Sequence, residues 1–490
     1  MNRPAGKGRS EGRRGMILPV VLLMLILLGL LAASSAFYVH ADLSSTFSWG
    51  QRFQARLAAE AGLQKVMLFL RTNRGDPATW YHNPAEFHRT IVWIEGEDRE
   101  VLGTNQEFED SDRRMRYRFS IVADNPDDDK KLVRYGITDE SAKLNINVAS
   151  REQLKSLISR FTTKEMNVEE LVDALLDWRD GDGDPREFGA EDRYYAELDP
   201  PYKVKNGPFD TVEELLLVRG FTGQLLYGED YDRNGLMSPN ENDGEERFPP
   251  DDVDDKLNVG LYAYVTVYSR DTNTTAENRP RVYIKGDQAV VGAQLLEFVE
   301  DQATANFIST AGKSDSGLRS PADLLKGRSQ ESSEEPLPSP LTDADMTWAM
   351  DRLSTSASPE LVGLINVNTA GPIVLGTLPG LTEDDVTAIL TARAELPPEE
   401  KSSAGWLIQV IGREKFIEAA PLISVRGTRF RVESLGYSDH MGAMARLETV
   451  LEMRGPVAQI VYLRDLTALG TNFPIQWAEG DSELVGYDDQ

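Results

Sequence analysis

Behind Arg13-Arg14-Gly15-Met16-Ile17-Leu18-Pro19 lies an almost unbroken apolar run to Val39, long enough to cross a bilayer as one helix. Every other part of the chain is then tethered. Arg3, Lys7, Arg9, Arg13 and Arg14 precede the run and only Glu11 opposes them, so the positive-inside rule keeps the leader cytoplasmic and sends the remainder outward. A secretory signal cut after Ser34-Ser35-Ala36 is the competing reading, but the run is longer than an ordinary h-region. Pro19 falls in the first turn of the helix, where its missing N–H costs little.

From Asp42 to about Arg71 there is no proline, and Leu57, Ala61, Met67 or Leu68, and Leu70 recur at near-helical spacing. The anchor is therefore expected to run on as one long helix. After Gly75-Asp76-Pro77 the pattern changes to short strands over 90–94, 115–122 and 132–138, and three more are predicted over 429–435, 444–454 and 459–464. A long helix followed by antiparallel strands is α+β. The stretch 257–270 alternates as a strand, with 281–285 as its partner, and Asp287 is placed to cap a helix whose apolar face is Val291, Leu295, Phe298 and Val299. Residues 313–342 are rich in Ser, Pro and Glu and read as a disordered linker.

Composition limits the function. A chain of 490 residues leaves room for two to four domains, and a net charge of −28 argues against a nucleic-acid partner, whose phosphates need clustered Lys and Arg. With no cysteine, disulfides, thiol catalysis and Cys-ligated zinc are excluded. His40, His82, His88 and His440 form no metal or catalytic motif, and neither a phosphate loop nor a G-x-S-x-G elbow occurs.

The chemistry-bearing stretch is Asp230-Tyr231-Asp232-Arg233-Asn234-Gly235-Leu236-Met237-Ser238-Pro239-Asn240-Glu241. Asp230, Asp232 and Asn234 offer side-chain oxygens at positions one, three and five of a calcium loop. Gly235 allows the turn at six, Leu236 offers its carbonyl at seven, and Glu241 closes the loop at twelve. Gly244 and Pro249-Pro250 do not read as an exiting helix, so a loop without a complete EF-hand pair is expected. Asp180, Asp182, Asp184 and Glu191 repeat positions one, three, five and twelve, with Pro185 in place of the glycine. An ordinary acidic turn is the alternative for both loops.

The basic leader ending at Gly15 before the apolar run resembles a type IV prepilin leader, which implies processing between Gly15 and Met16 by a prepilin peptidase, with methylation of the new terminus. Position five of the mature chain is then Val20, where most pilins and pseudopilins carry glutamate. That departure, followed by Asp139-Glu140, Leu144-Asn145-Ile146-Asn147, Trp178, the loop 180–184, Gly189-Ala190-Glu191-Asp192, Tyr194-Tyr195, Asn206-Gly207-Pro208-Phe209 and Thr211-Val212-Glu213-Glu214-Leu215, resembles the K-type minor pseudopilin of the type II secretion system. A second module opens at Ile365-Asn366-Val367-Asn368 and carries a helix–hairpin–helix turn at Leu378-Pro379-Gly380-Leu381-Thr382.

The resemblance implies an α+β fold: a transmembrane and pilin-stem helix, a pilin-like antiparallel sheet, and inserted all-α modules of SAM-like or helix–hairpin–helix type. The expected divisions are leader 1–15, stem 16–73, first sheet part 74–140, first helical module with acidic loops 141–256, strand and helix block 257–312, linker 313–342, second helical module 343–425, returning strands 426–470 and acidic tail 471–490. It further implies a non-enzymatic inner-membrane protein with its bulk in the periplasm, calcium in the helical domain, and a place at the pseudopilus tip. The implied partners are I- and J-type minor pseudopilins and the inner-membrane assembly platform. A helix–hairpin–helix DNA-uptake protein is the alternative, but Glu383, Asp384 and Asp385 follow the turn where basic residues are needed. A calcium-dependent extracytoplasmic hydrolase is another, and it lacks a nucleophile or acid–base pair.

Overall fold

The computed structural model describes residues 17–93, 117–127, 133–163, 166–244, 250–251, 253–313, 317–330, 333–438 and 442–471. The expected processing residues Gly15 and Met16, and residues 472–490 of the tail, lie outside them. Ile17–Asn73 form one uninterrupted helix, α1, of 57 residues. An 18-residue window of it has a mean hydropathy of 2.6 and is wholly unburied, a length and composition that fit a membrane anchor.

The second half of α1 packs on a seven-stranded antiparallel sheet made of β1 (Thr90–Trp93), β2 (Tyr117–Asp124), β3 (Val133–Tyr135), β4 (Thr138–Asp139), β5 (Arg429–Ser438), β6 (Met444–Arg454) and β7 (Val457–Asp465). The order is β1-β2-β5-β6-β7, with β3 beside β2 and β4 beside β5. The buried face of α1 is Ala55, Ala58, Ala59, Leu63, Val66 and Leu70, set against Phe119, Ile121, Val432, Leu447 and Leu451. Leu57, expected on that face, is exposed, and of Met67 or Leu68 it is Met67 that packs against the cluster while Leu68 is exposed. Small residues displace them because the helix lies almost flush with the sheet. A Cβ on Gly436 would sit 2.1 Å from the Ala55 carbonyl oxygen, and one on Gly62 would sit 2.4 Å from the Ser434 hydroxyl. Ser434 in turn donates to the Ala59 carbonyl at 2.8 Å.

β4 and β5 are neighbours, yet nearly 290 residues separate them in sequence, so residues 140–428 leave and re-enter the sheet at one point. Such an insertion leaves the parent sheet undisturbed because its ends are adjacent. Its first module holds α2 (Arg151–Ile158), started by a Ser150–Gln153 capping box, and α3 (Val168–Arg179), capped by Asn167. Further on, α4 (Gln288–Leu295) is capped by Asp287, and α5 (Glu383–Glu395) follows the Gly380 turn.

The two Asn-x-Asn elements fold alike. Leu144–Asn145 pair in parallel with Val265–Thr266, and Ile365–Asn366 with Ile423–Ser424. In each, the first asparagine side chain accepts from the backbone N–H of the second, at 3.0 Å. Arg179 at the end of α3 donates to the carbonyls of Ile146 and Ala149, while Arg393 near the end of α5 donates to those of Val367 and Ala370.

Two expectations fail between these elements. Residues 257–270 are not one strand but a 3₁₀ turn at Leu261–Ala263 between short extended pieces, because Gly260 presses against the backbone of Leu226 and Gly228. Val282–Tyr283 consequently pair in parallel with Leu353–Ser354 rather than with that stretch. The supposed linker 313–342 is also structured where described. Leu318, Ala322, Leu324 and Leu325 are buried in the module core around a 3₁₀ helix at Pro321–Leu325, and a Ser320–Asp323 capping box starts it. Four apolar side chains within eight residues suffice to bury a face that a Ser/Pro-rich composition conceals.

The flush contact gives a direct test. Gly436→Val is expected to cost at least the roughly 1–3 kcal/mol of an overpacked core, read as a lower thermal midpoint of the detergent-solubilised protein. Gly50→Ala, with nothing within 4 Å of the added carbon, should leave the midpoint unchanged or slightly raised.

Candidate metal centres

Both acidic loops gather their carboxylates. Asp230, Asp232 and Glu241 bring oxygens within 4.8 Å of one another, and Asp180, Asp182 and Glu191 do the same. Asp184, the expected fifth-position ligand, stays outside the second group. Its backbone N–H donates to Asp182 at 3.0 Å while its side chain is exposed, because Pro185 cannot make the sharp turn that a position-six glycine allows.

The first loop is closed on itself. Asp230 accepts from the backbone N–H groups of Asn234 (2.9 Å) and Gly235 (3.1 Å), and Gly235 takes φ 66°, the left-handed geometry the turn needs. Glu241 reaches back across the loop to the Tyr231 N–H at 3.2 Å and the Ser238 N–H at 2.8 Å. Asn234 donates to Asp232 at 2.8 Å, and its own oxygen accepts from the Leu236 N–H. The Leu236 side chain packs against Val122, Leu435 and Tyr437 of the sheet. Asp230 and Glu241 are buried, yet none of the three carboxylates has an ion-pair partner among the described residues. Burial pushes the Asp230 carboxyl up to about 7, with Asp124 at the end of β2 adding repulsion. Asp232 is raised for the same reason, with Glu241 as its like-charged neighbour.

The second loop leaves more unsatisfied. Glu191 is only 6% exposed, and neither of its carboxylate oxygens has a hydrogen-bond partner. Asp180 Oδ1 and Asn206 Oδ1 are likewise buried without a partner. Arg186 bridges Asp177 and Asp180 at 2.6 Å each, but it does not reach Glu191. Burial, then the charges of Asp177, Asp180 and Asp182, push the Glu191 carboxyl up to about 7. Orphaned buried oxygens of this kind cost roughly 1–3 kcal/mol each, and a hard cation with oxygen ligands would relieve those of Asp180 and Glu191, which lie within 4.8 Å of one another. The donor sets of both loops therefore fit such a cation.

Two members of these sites lie outside the loop motifs that the sequence shows. Asn206 lies 24 residues after Asp182, whose carbonyl it holds at 2.7 Å. Arg446 comes from β6, where it donates to the carbonyls of Asp232 and Arg233 and pairs with Glu433. Only the fold brings these groups to the loops.

Without metal, Asp230 and Glu191 both have raised native-state values, so each favours the folded state fully below its unfolded value and loses that contribution as pH rises through about 7. The chelator-treated protein should therefore melt at a higher temperature at about pH 5 than at about pH 8, and Glu191→Gln should flatten that dependence.

Residues 130–227 match the family model described as type II secretion system (T2SS), protein K. The chain is 35% identical over 102 residues to type II secretion system protein K of Pseudomonas aeruginosa, covering 19% of this chain and 31% of that protein. It is 35% identical over 72 residues to the protein of the same name from Aeromonas hydrophila, covering 14% and 22%. The matches thus span less than a third of the length of either relative. A chain of the GspK–GspI–GspJ complex from enterotoxigenic Escherichia coli aligns with TM-score 0.41 and 14% identity, over 86% of this chain and 99% of that one.

Proposed function

We propose that this chain, whose residues 130–227 match the model of type II secretion system protein K, acts as a whole as a non-enzymatic minor pseudopilin at the tip of a short periplasmic pseudopilus. The observation that carries the reading is topological: the matched region begins an insertion into a helix-on-sheet unit whose helix continues as a membrane-competent apolar span. In this reading Gly15–Met16 is cut by the prepilin peptidase, Met16 is methylated, and α1 anchors the protein in the inner membrane with its leader cytoplasmic. Its partners are I- and J-type minor pseudopilins and the inner-membrane assembly platform. Nucleic acid is not among them, since the first turn of α5 carries Glu383, Asp384 and Asp385, and among the described residues only Asp385 of the three has an ion-pair partner, Lys415 at 2.6 Å.

Position at the tip follows from Val20. A subunit docked beneath another must neutralise the buried terminal amine of its neighbour, because an unpaired charge in an apolar setting is costly. Valine has no group for this, and the inserted modules add a bulky head. Both features suit a subunit with nothing above it, which starts assembly rather than extends it.

Calcium is the cation we assign to both loops, on the strength of all-oxygen donors and the one, three and twelve spacing that the folded loops retain. Calcium at about a hundredfold over its dissociation constant should add roughly 2.7 kcal/mol of stability per site. Glu241→Ala and Glu191→Gln should each remove one share of the resulting rise in thermal midpoint, and an unchanged response in both variants would reject the assignment. For the pilin reading, N-terminal sequencing of the membrane-extracted protein should begin at Met16, and cross-linking should find one copy at the distal end. A start at Phe37 would mark a cleaved signal, and copies repeated along the shaft would rule out the tip.

A further inference from the structure

The two loops differ in what holds them. The 180–191 loop is built wholly within the first helical module, from the end of α3, Arg186 and Asn206. The 230–241 loop is held from outside as well. Arg446 of β6, 1% exposed, donates through its two terminal nitrogens to the carbonyls of Asp232, a ligand residue, and Arg233, the residue after it. Its remaining nitrogen is fixed by Glu433 of β5, so the guanidinium is aimed by the sheet and not by the loop. Leu236 in the same loop is seated on Val122, Leu435 and Tyr437 of the sheet, and Arg233 lies over the rings of Tyr262 and Tyr227.

We propose that Arg446 is a positioning residue for the 230–241 metal site, which makes cation binding there cooperative with docking of the helical module on the pilin-like sheet, whereas the 180–191 site binds independently of the sheet. The inference rests on the calcium reading given above. The physical reason is that the carbonyl at position four of the loop is held, and that at position three met at 3.5 Å, by a donor whose place is set by β5 and β6. Their orientation fixes where the Asp230, Asp232 and Glu241 oxygens converge. Groups that orient metal ligands in this way commonly change affinity by roughly 10–100-fold when removed. Linkage then works in both directions: what the sheet does for the cation, the cation does for the sheet.

The test is a calcium titration of the full chain in detergent, followed by hydrogen exchange of β5 and β6 with and without calcium chloride. Wild type is expected to bind at two sites. Arg446→Met should weaken one of them by about tenfold or more and leave the other within about twofold, the unchanged site showing that the helical module is folded. Arg446→Lys, which keeps a charge for Glu433 but has no fork to span two carbonyls, should act in the same direction and serves if the methionine variant fails to fold. Calcium should slow exchange in β5 and β6 of wild type and of Glu191→Gln, but not of Glu241→Gln or Arg446→Met. Two sites of wild-type affinity in the Arg446 variants, or calcium-slowed exchange persisting in them, would overturn the coupling while leaving the calcium assignment intact. A wild-type chain that binds no calcium would overturn the assignment and the coupling with it.

Discussion

The near contact between α1 and β5 is the constraint on which the remainder of the architecture depends. A helix packed on a sheet through large side chains stands about 10 Å away, but here Gly436 faces the backbone of Ala55 and Ala59 with no room for a methyl group. Ser434 converts that closeness into a hydrogen bond to the Ala59 carbonyl, which fixes the helix in rotation as well as in distance. The direction in which the apolar span leaves the sheet follows from this one register. Leu57 and Leu68 are left on the outer face by the same geometry.

Where β4 gives way to the insertion, buried polar groups carry the join. Glu140, just past β4, is wholly buried with Arg431 of β5, which also reaches Glu448 of β6 and the Tyr262 hydroxyl. Burial by itself raises the Glu140 carboxyl, but Arg431 and Lys143 outweigh it and hold it below its usual range. Its neighbour Asp139 accepts from Asn366 (2.7 Å) and Thr369 (2.9 Å) of the second module, and there burial wins, pushing the carboxyl up to about 6. Ion pairs this deep return little net stability because desolvation offsets the attraction, yet breaking one partner is severe. They therefore select one docking of the modules over its alternatives, a task that a greasy interface performs poorly.

The acidic turn at Asp139-Glu140 and the paired Asn-x-Asn elements stand out in the sequence as motifs, and the fold gives them a common purpose. Each Asn-x-Asn starts a two-residue parallel ladder, and each module then returns an arginine, Arg179 or Arg393, to the carbonyls around it. The spacing from motif to arginine differs by several residues between the modules, which is why periodicity does not reveal the correspondence. The metal loops show the same division. In the 230–241 loop the position one and twelve carboxylates are drawn in by local loop-closing hydrogen bonds, whereas the fifth position fails in the loop that carries Pro185.

What the sequence determined by itself were the features set by neighbouring residues: the apolar span, the helix running on from it, the strands β5 to β7, the cap at Asp287 and the two acidic loops. Each depends on side-chain period, capping or turn chemistry within about a dozen residues. Tertiary structure decided the rest. It chose the buried face of α1 through a glycine nearly four hundred residues away, broke the expected strand at 257–270 by pressing Gly260 onto Gly228, and folded residues 317–327 onto a core that their composition conceals. It also placed Arg446 against the Asp232 and Arg233 carbonyls, more than two hundred residues distant in sequence. Contacts of that range are settled by the joint packing of helix, sheet and insertion, and no local pattern encodes them.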